Sequence, residues 1–166
     1  MTTTKPRRAH SIAEFNDIAG KFFVPAEIGA SIASWRPRPT DVVISPFAKC
    51  GTTWLQQIFH TLRTRGDMDF DDISRVVPWI EMATADGLDI EAPQRAEPRG
   101  FKSHLAYDAI PLGAKGIVSF RDPRDALVSM YRFMEGWFID PGAVSIEDFA
   151  DKIGRASCRE RVCMLV

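Results

Sequence analysis

Cysteine is scarce in this chain of 166 residues: there are only Cys50, Cys158 and Cys163. The odd count and the absence of metal-site spacing argue against both a disulfide framework and a zinc site. Long apolar runs are missing as well. None approaches the roughly 18 consecutive apolar residues of a membrane span, and the longest have the length of buried strands. The opening MTTTKPRRAH is basic and polar, without the apolar stretch that a secretory signal requires. A cytoplasmic protein with no membrane partner is expected. Net charge is nearly absent at -1, so nothing argues for nucleic acid as a partner. A hydrophobic fraction of 45% with 26% charged residues is enough apolar material for one globular core, and it excludes disorder and fibrous architectures.

Charge is unevenly distributed. Nine acidic residues (Asp67, Asp69, Asp71, Asp72, Glu81, Asp86, Asp89, Glu91 and Glu97) stand against only Arg75 and Arg95 in the same stretch. That segment would repel an anion and reads as a solvated face. The cations able to hold an anion, Lys49, Lys102, Arg121 and Arg124, each sit close to the end of an expected strand.

The spacing predicts a first helix from Ser11, where Ser-Ile-Ala-Glu has the form of a capping box, to about Gly20. A proline-rich loop (Pro25, Pro37, Pro39) follows, then a buried strand at Val42, Val43 and Ile44. Leu55, Ile58, Phe59 and Leu62 recur at helical spacing before Gly66, which gives strand, tight loop, helix. The acidic stretch is irregular, with a short helix expected over 76–82. A second strand is expected at Gly100–Lys102. A third, Gly116–Phe120, is continuously apolar as if both sheet faces were covered. Asp122 and Pro123 cap and open a helix running to about Trp137, and Ser145 with Asp148 opens a short one. Strands alternating with helices imply an α/β fold: a parallel sheet with flanking helices, in a P-loop-like nucleotide-binding architecture.

The strongest local signal is Pro46-Phe47-Ala48-Lys49-Cys50-Gly51-Thr52-Thr53-Trp54, between a buried strand and a helix. The unpaired N–H groups and positive dipole end of a helix N-terminus make an anion site there. Gly51 allows close backbone approach, Thr52 and Thr53 add hydroxyl donors, and Lys49 brings a full charge. In a Walker A loop the lysine directly follows the second glycine. Here Lys49 precedes Gly51 by two positions, which disfavours a nucleoside triphosphatase or a P-loop kinase. The plain alternative is a helix cap with an exposed lysine. Cys50 as a phosphatase-type nucleophile lacks the arginine expected six residues on, where Gln56 stands; a structural thiol is the better reading.

This loop resembles the phosphosulfate-binding loop of the cytosolic sulfotransferase family, TYPKSGTTW. It has Phe47, Ala48 and Cys50 in place of tyrosine, proline and serine, and retains Lys49, Gly51, Thr52, Thr53 and Trp54. The resemblance implies that 3'-phosphoadenylyl sulfate is the co-substrate, with no metal required. It also implies that Lys49 contacts the sulfuryl group and the leaving oxygen, that Thr52, Thr53 and the amides of Cys50 and Gly51 hold the 5'-phosphate, and that Trp54 lies against the adenine. Phe101-Lys102-Ser103-His104-Leu105 looks like the family's K-T-H-L-P motif. An imidazole of ordinary pKa near 6.5 suits proton removal from an acceptor hydroxyl, so His104 is the candidate general base, and Lys102 inherits the stabilisation of the charged transfer state. His10 and His60 are read as locally hydrogen-bonded. Arg121-Asp122-Pro123-Arg124-Asp125 through Ser129 resembles the family's 3'-phosphate motif, which makes Arg121 and Ser129 its ligands and Asp122 a helix cap.

Three motifs in family order, each at a strand end, converge on the carboxyl edge of a parallel sheet. The implied activity is sulfuryl transfer to a hydroxyl or amine of a small-molecule acceptor, and a homodimer is compatible with the full-length parent. The alternative is a nucleotide-binding fragment or interaction module without catalysis. Phe22, Phe23, Trp79 and Phe138 are candidates either for an acceptor pocket or for the core. Residues 1–152 read as a partial, C-terminally truncated sulfotransferase domain lacking the family's R-K-G-containing loop. Residues 153–166 resemble no part of the family and read as a translated sequencing adapter, the alternative being a genuine divergent helix.

Overall fold

The computed structural model describes residues 7–159 apart from residue 112, with backbone only at residue 107 and from residue 153 onward. Residues 160–166 of the expected artefactual tail lie outside the described residues. The elements are α1 (Ile12–Phe22), α2 (Pro25–Ser34), β1 (Val42–Ile44), α3 (Thr52–Thr64), α4 (Ile73–Val76), β2 (Gly100–Lys102), a 3-10 turn (Tyr107–Ala109), β3 (Lys115–Ile117), α5 (Pro123–Trp137) and α6 (Ile146–Arg159). They fall into two compact units, one of residues 25–121 and one combining residues 1–24 with 122–166.

The first unit carries the sheet, with strand order β2-β1-β3 and both pairings parallel. Val43 lies level with Phe101 on one side and Gly116 on the other. Alternation sends Val43 to one face, where it packs with Trp35, Ile80, Ala83, Ile90 and Phe101. Val42 and Ile44 go to the opposite face, with Val76, Val77, Leu55 and Phe59. Both faces of β1 are covered, so an unbroken Val-Val-Ile run is buried throughout. Gly100 is obligatory for this packing: a Cβ there would come within 2.0 Å of the Phe59 ring.

Beneath the amino ends of β1 and β2 lies an ion pair. Arg99, 1% exposed, donates from Nε and Nη2 to the two carboxylate oxygens of Asp41 at 3.0 and 2.6 Å. Its Nη1 reaches Glu91 at 3.1 Å and Nη2 also donates to the Arg36 carbonyl at 3.2 Å. A buried charge is tolerated only when its donors are matched in this way.

Several expectations change in the structure. The proline-rich loop contains α2, because Pro25 stands at the first helical position, where its missing N–H and fixed φ cost nothing. The short helix spans Ile73–Val76 and ends where the expected one, over 76–82, would begin. The third strand stops at Ile117, and Phe120 is 91% exposed; β3 has no strand beyond it among the described residues, so its apolar continuation is not a buried core strand. On α3 the inward seam is Thr52, Gln56 and His60, with Leu55 and Phe59 at its margin and Ile58 and Leu62 outside. Polar side chains take the seam because they serve backbone groups, as Gln56 does in donating to the Val77 carbonyl at 3.1 Å.

In the second unit Ser11 accepts from Glu14 N–H and Glu14 accepts from His10 N–H at 2.8 Å, which starts α1. Asp122 caps α5 with Pro123 behind it. Ser145 Oγ accepts from Asp148 N–H at 3.1 Å at the head of α6, whose backbone runs on to Arg159, longer than expected. Phe15, Ile139, Val144 and Phe149 form its core with Leu127, Met130 and Tyr131. Phe22, Phe23 and Phe138 stack edge to face here. No helix among the described residues is long and apolar enough to cross a membrane.

Candidate functional site

The site grows from the carboxyl ends of the three strands. Parallel pairing continues one step past each strand: Ser45 N–H donates to the Ile117 carbonyl and Ser103 N–H to the Ile44 carbonyl, both at 2.9 Å. The three departing segments therefore leave the sheet at one level. After β1 the chain turns through Lys49 in the left-handed region (φ 67°) and Gly51 (φ 94°) into α3. The first intrahelical bond runs from Leu55 N–H to the Gly51 carbonyl at 3.0 Å, and no side chain caps the helix at Gly51. The amides of the first turn thus lie at a bare helix start. Thr52 is buried and its Oγ1 has no partner, while Thr53 is exposed.

The loop is held from the β3 side. Ser119 Oγ donates to the Cys50 carbonyl, and Arg121 Nη1 donates to the Lys49 carbonyl at 3.1 Å. Arg121 therefore lies on the same side of the sheet as Lys49, although the two are 72 positions apart. Among the described residues no carboxylate forms an ion pair with Arg121. Cys50 is buried, and burial pushes its thiol pKa up, which is unfavourable for a nucleophile.

The segment after β2 brings the other two candidates. Lys102 rests its ammonium 3.9 Å from the centre of the Trp79 ring, and burial lowers its pKa. Trp79 also meets the His104 ring edge to face at 5.4 Å. His104 Nδ1 lies 3.2 Å from the Pro46 carbonyl. A carbonyl only accepts, so Nδ1 carries the proton in this contact and Nε2 keeps its lone pair. Burial, followed by the Lys102 and Lys49 charges, holds the imidazole pKa down to about 4, so the ring is neutral at physiological pH.

Lys49, Cys50, Gly51, Thr52, Thr53, Lys102, His104 and Arg121 all belong to this one unit and this one sheet edge. Trp54 stands 76% exposed on α3. Ser129 lies on α5 of the other unit. His10 pairs with Asp140 at 3.2 Å, and His60 is buried with Nδ1 3.1 Å from Arg63 Nη2. Both are locally bonded, as expected. The sequence reading missed Glu81, which it assigned to the solvated acidic face. Glu81 is 7% exposed and accepts from His104 N–H at 2.6 Å. Its only signal was position, two residues after Trp79 in a run otherwise broken by prolines.

One sheet edge thus gathers a bare helix start, Lys49 with Arg121 on its carbonyl, and Lys102 beside a neutral imidazole. The sequence pattern of the sulfotransferase domain matches residues 39–161. This chain belongs to the sulfotransferase family. It is 30% identical over 152 residues to sulfotransferase 1 family member D1 of Mus musculus, covering 84% of this chain and 51% of that protein. Similarity to cytosolic sulfotransferase 17 of Arabidopsis thaliana is 28% over 131 residues, 71% of this chain and 38% of that protein. The chain spans about half the length of the first of these sulfotransferases. In fold it resembles the crystal structure of a steroid sulphotransferase candidate from Arabidopsis thaliana, with a TM-score of 0.52 and 19% identity, over 81% of this chain and 57% of that one.

Proposed function

We propose that the full-length parent of this sulfotransferase-family chain transfers a sulfuryl group from 3'-phosphoadenylyl sulfate to a hydroxyl or amine of a small-molecule acceptor in the cytoplasm. The observation that carries this reading is the state of His104: neutral, anchored through Nδ1 to the Pro46 carbonyl, with Nε2 left to accept a proton, beside Lys102 and within the field of Lys49. The donor set fits an anionic nucleotide, because the unpartnered Thr52 Oγ1 and the uncapped start of α3 are hydrogen-bonding capacity that the protein itself does not use. Bound there, the co-substrate would supply an electrophilic sulfur and a phosphate oxygen as leaving group.

In this reading His104 Nε2 takes the acceptor proton. Lys49 meets the charge that develops on the leaving oxygen, and Lys102 stabilises the charged transfer state. Thr52 and Thr53 with the loop amides hold the 5'-phosphate, Trp54 covers the adenine, and Arg121 holds the 3'-phosphate. An imidazole at about 4 is a weak base, but an anion beside Lys49 and Lys102 offsets two of the charges that depress it and so raises its basicity on binding. In a chain extended to the native C-terminus, His104→Ala should lower saturated turnover about 100-fold to 10,000-fold, with little change in nucleotide affinity measured by titration calorimetry. Near-normal turnover would remove His104 as the base. Failure of the sulfated and desulfated nucleotides to bind the native chain would remove the nucleotide assignment.

A further inference from the structure

The segment 78–81 emerges from the acidic stretch and docks alongside the end of β2 as a short extra parallel bridge, Trp79 against Lys102. Lys102 N–H donates to the Pro78 carbonyl at 2.7 Å and Ile80 N–H to the Lys102 carbonyl at 2.9 Å. This pairing fixes the next acceptor in line. Glu81 Oε1 takes the His104 N–H at 2.6 Å, so the backbone of the candidate base is gripped by a side chain rather than by a fourth strand. The other carboxylate oxygen, Oε2, is buried without a partner. The carboxylate also faces Trp79, Ser103 and the Lys102 charge, but burial outweighs these and pushes its pKa up, so holding it in place costs stability.

We propose that Glu81 is a positioning residue for His104: its carboxylate fixes the backbone of the residue whose ring is bonded to the Pro46 carbonyl, and the two contacts together set which imidazole nitrogen faces the site. The inference rests on His104 being the reactive base. The ring contact with the Pro46 carbonyl fixes χ1 and χ2, and the main-chain contact with Glu81 fixes the backbone from which the ring projects. Trp79 closes the third side edge to face. The groups facing His104 from its packed neighbours are Glu81 and Lys102 from the bridge and β2, and Lys49 from the loop. Losing the Glu81 grip frees the ring to leave its slot under Trp79 and become hydrated.

The test is the pH profile of His104 acylation by diethyl pyrocarbonate in the full chain, read by peptide mass spectrometry against a free histidine derivative in the same tube. Only an unprotonated ring nitrogen reacts. His104 should therefore stay reactive down to about pH 5, where the free derivative has largely stopped, as its pKa of about 4 demands. Glu81→Gln keeps an acceptor oxygen and should keep that profile. Glu81→Ala and Glu81→Met keep none, and should move the His104 midpoint up by at least one pH unit while circular dichroism stays native. An unchanged profile in both folded variants overturns the proposal. So does loss of cooperative folding in both, since Glu81 would then be structural. Failure of the base assignment reads out separately, as normal turnover of His104→Ala in the extended chain.

Discussion

Two arginines at opposite ends of one short sheet are used in opposite ways. Arg99 precedes β2 at the amino edge, buried, with Asp41 and Glu91 consuming its donors. Arg121 follows β3 at the carboxyl edge, exposed, and its guanidinium donates to the Lys49 carbonyl. The amino edge has matched its charge internally and contributes stability. The carboxyl edge keeps Arg121 without a carboxylate partner among the described residues, next to a bare helix start. Ligands gather outside the carboxyl ends of parallel strands because loops diverge there and helix N-termini point into the gap. Pairing Arg121 as fully as Arg99 would remove its charge from that gap.

The comparison is broken most directly at Arg99. Arg99→Ala leaves Asp41 charged and buried without its partner, and should cost about 3 to 5 kcal/mol, read as a fall in the urea midpoint at unchanged slope. A loss below 1 kcal/mol would mean that the amino edge is not a stability element. Arg121→Ala should do the reverse. Its urea midpoint should stay at the native value while affinity for the 3'-phosphorylated nucleotide falls by roughly 1.5 to 3 kcal/mol, the scale of a charge-assisted hydrogen bond; calorimetry on both proteins reads the two quantities.

Gly100 sharpens the same contrast one residue further in. Gly100→Ala drives a methyl into the Phe59 ring and should destabilise by about 1 to 3 kcal/mol without touching the carboxyl edge, so nucleotide affinity in the folded fraction should not change. A small stability effect is also expected at Thr52. Thr52→Val removes a buried hydroxyl that has no protein partner, so unfolding free energy should move by less than about 1 kcal/mol in either direction, whereas nucleotide binding weakens. A large stability loss would show that the hydroxyl serves the fold rather than a ligand.

Much of this was legible in the residues. Val42, Val43 and Ile44 read as a buried strand because a β-branched run of that length has few other homes, and the loop from Pro46 to Trp54 read as an anion site from glycine, threonine and lysine at a strand-to-helix turn. The caps at Ser11 and Asp122 were equally local, since each needs only one side chain and an amide two or three residues away. The extent of the third strand was not legible. Whether Val118 and Phe120 are core depends on what covers them, and local apolarity carries no record of that. The face of α3 was misjudged for the same reason: Gln56 and His60 look solvent-facing until the Val77 carbonyl and the Arg63 guanidinium are seen beside them.

By itself the sequence determined the parallel α/β plan, the strand-to-helix loop from Pro46 to Trp54 and the side-chain chemistry available at Lys49, Lys102, His104 and Arg121. Those follow from side-chain type, β-branching and short-range capping, which act over a few residues. The tertiary structure alone decided that Asp41 and Arg99, 58 positions apart, neutralise each other, and that Glu81 leaves its acidic neighbours to hold His104. Only tertiary structure could decide these points, because a charge in a chain is ambiguous between solvent, partner and ligand until the fold fixes the distance and the dielectric around it.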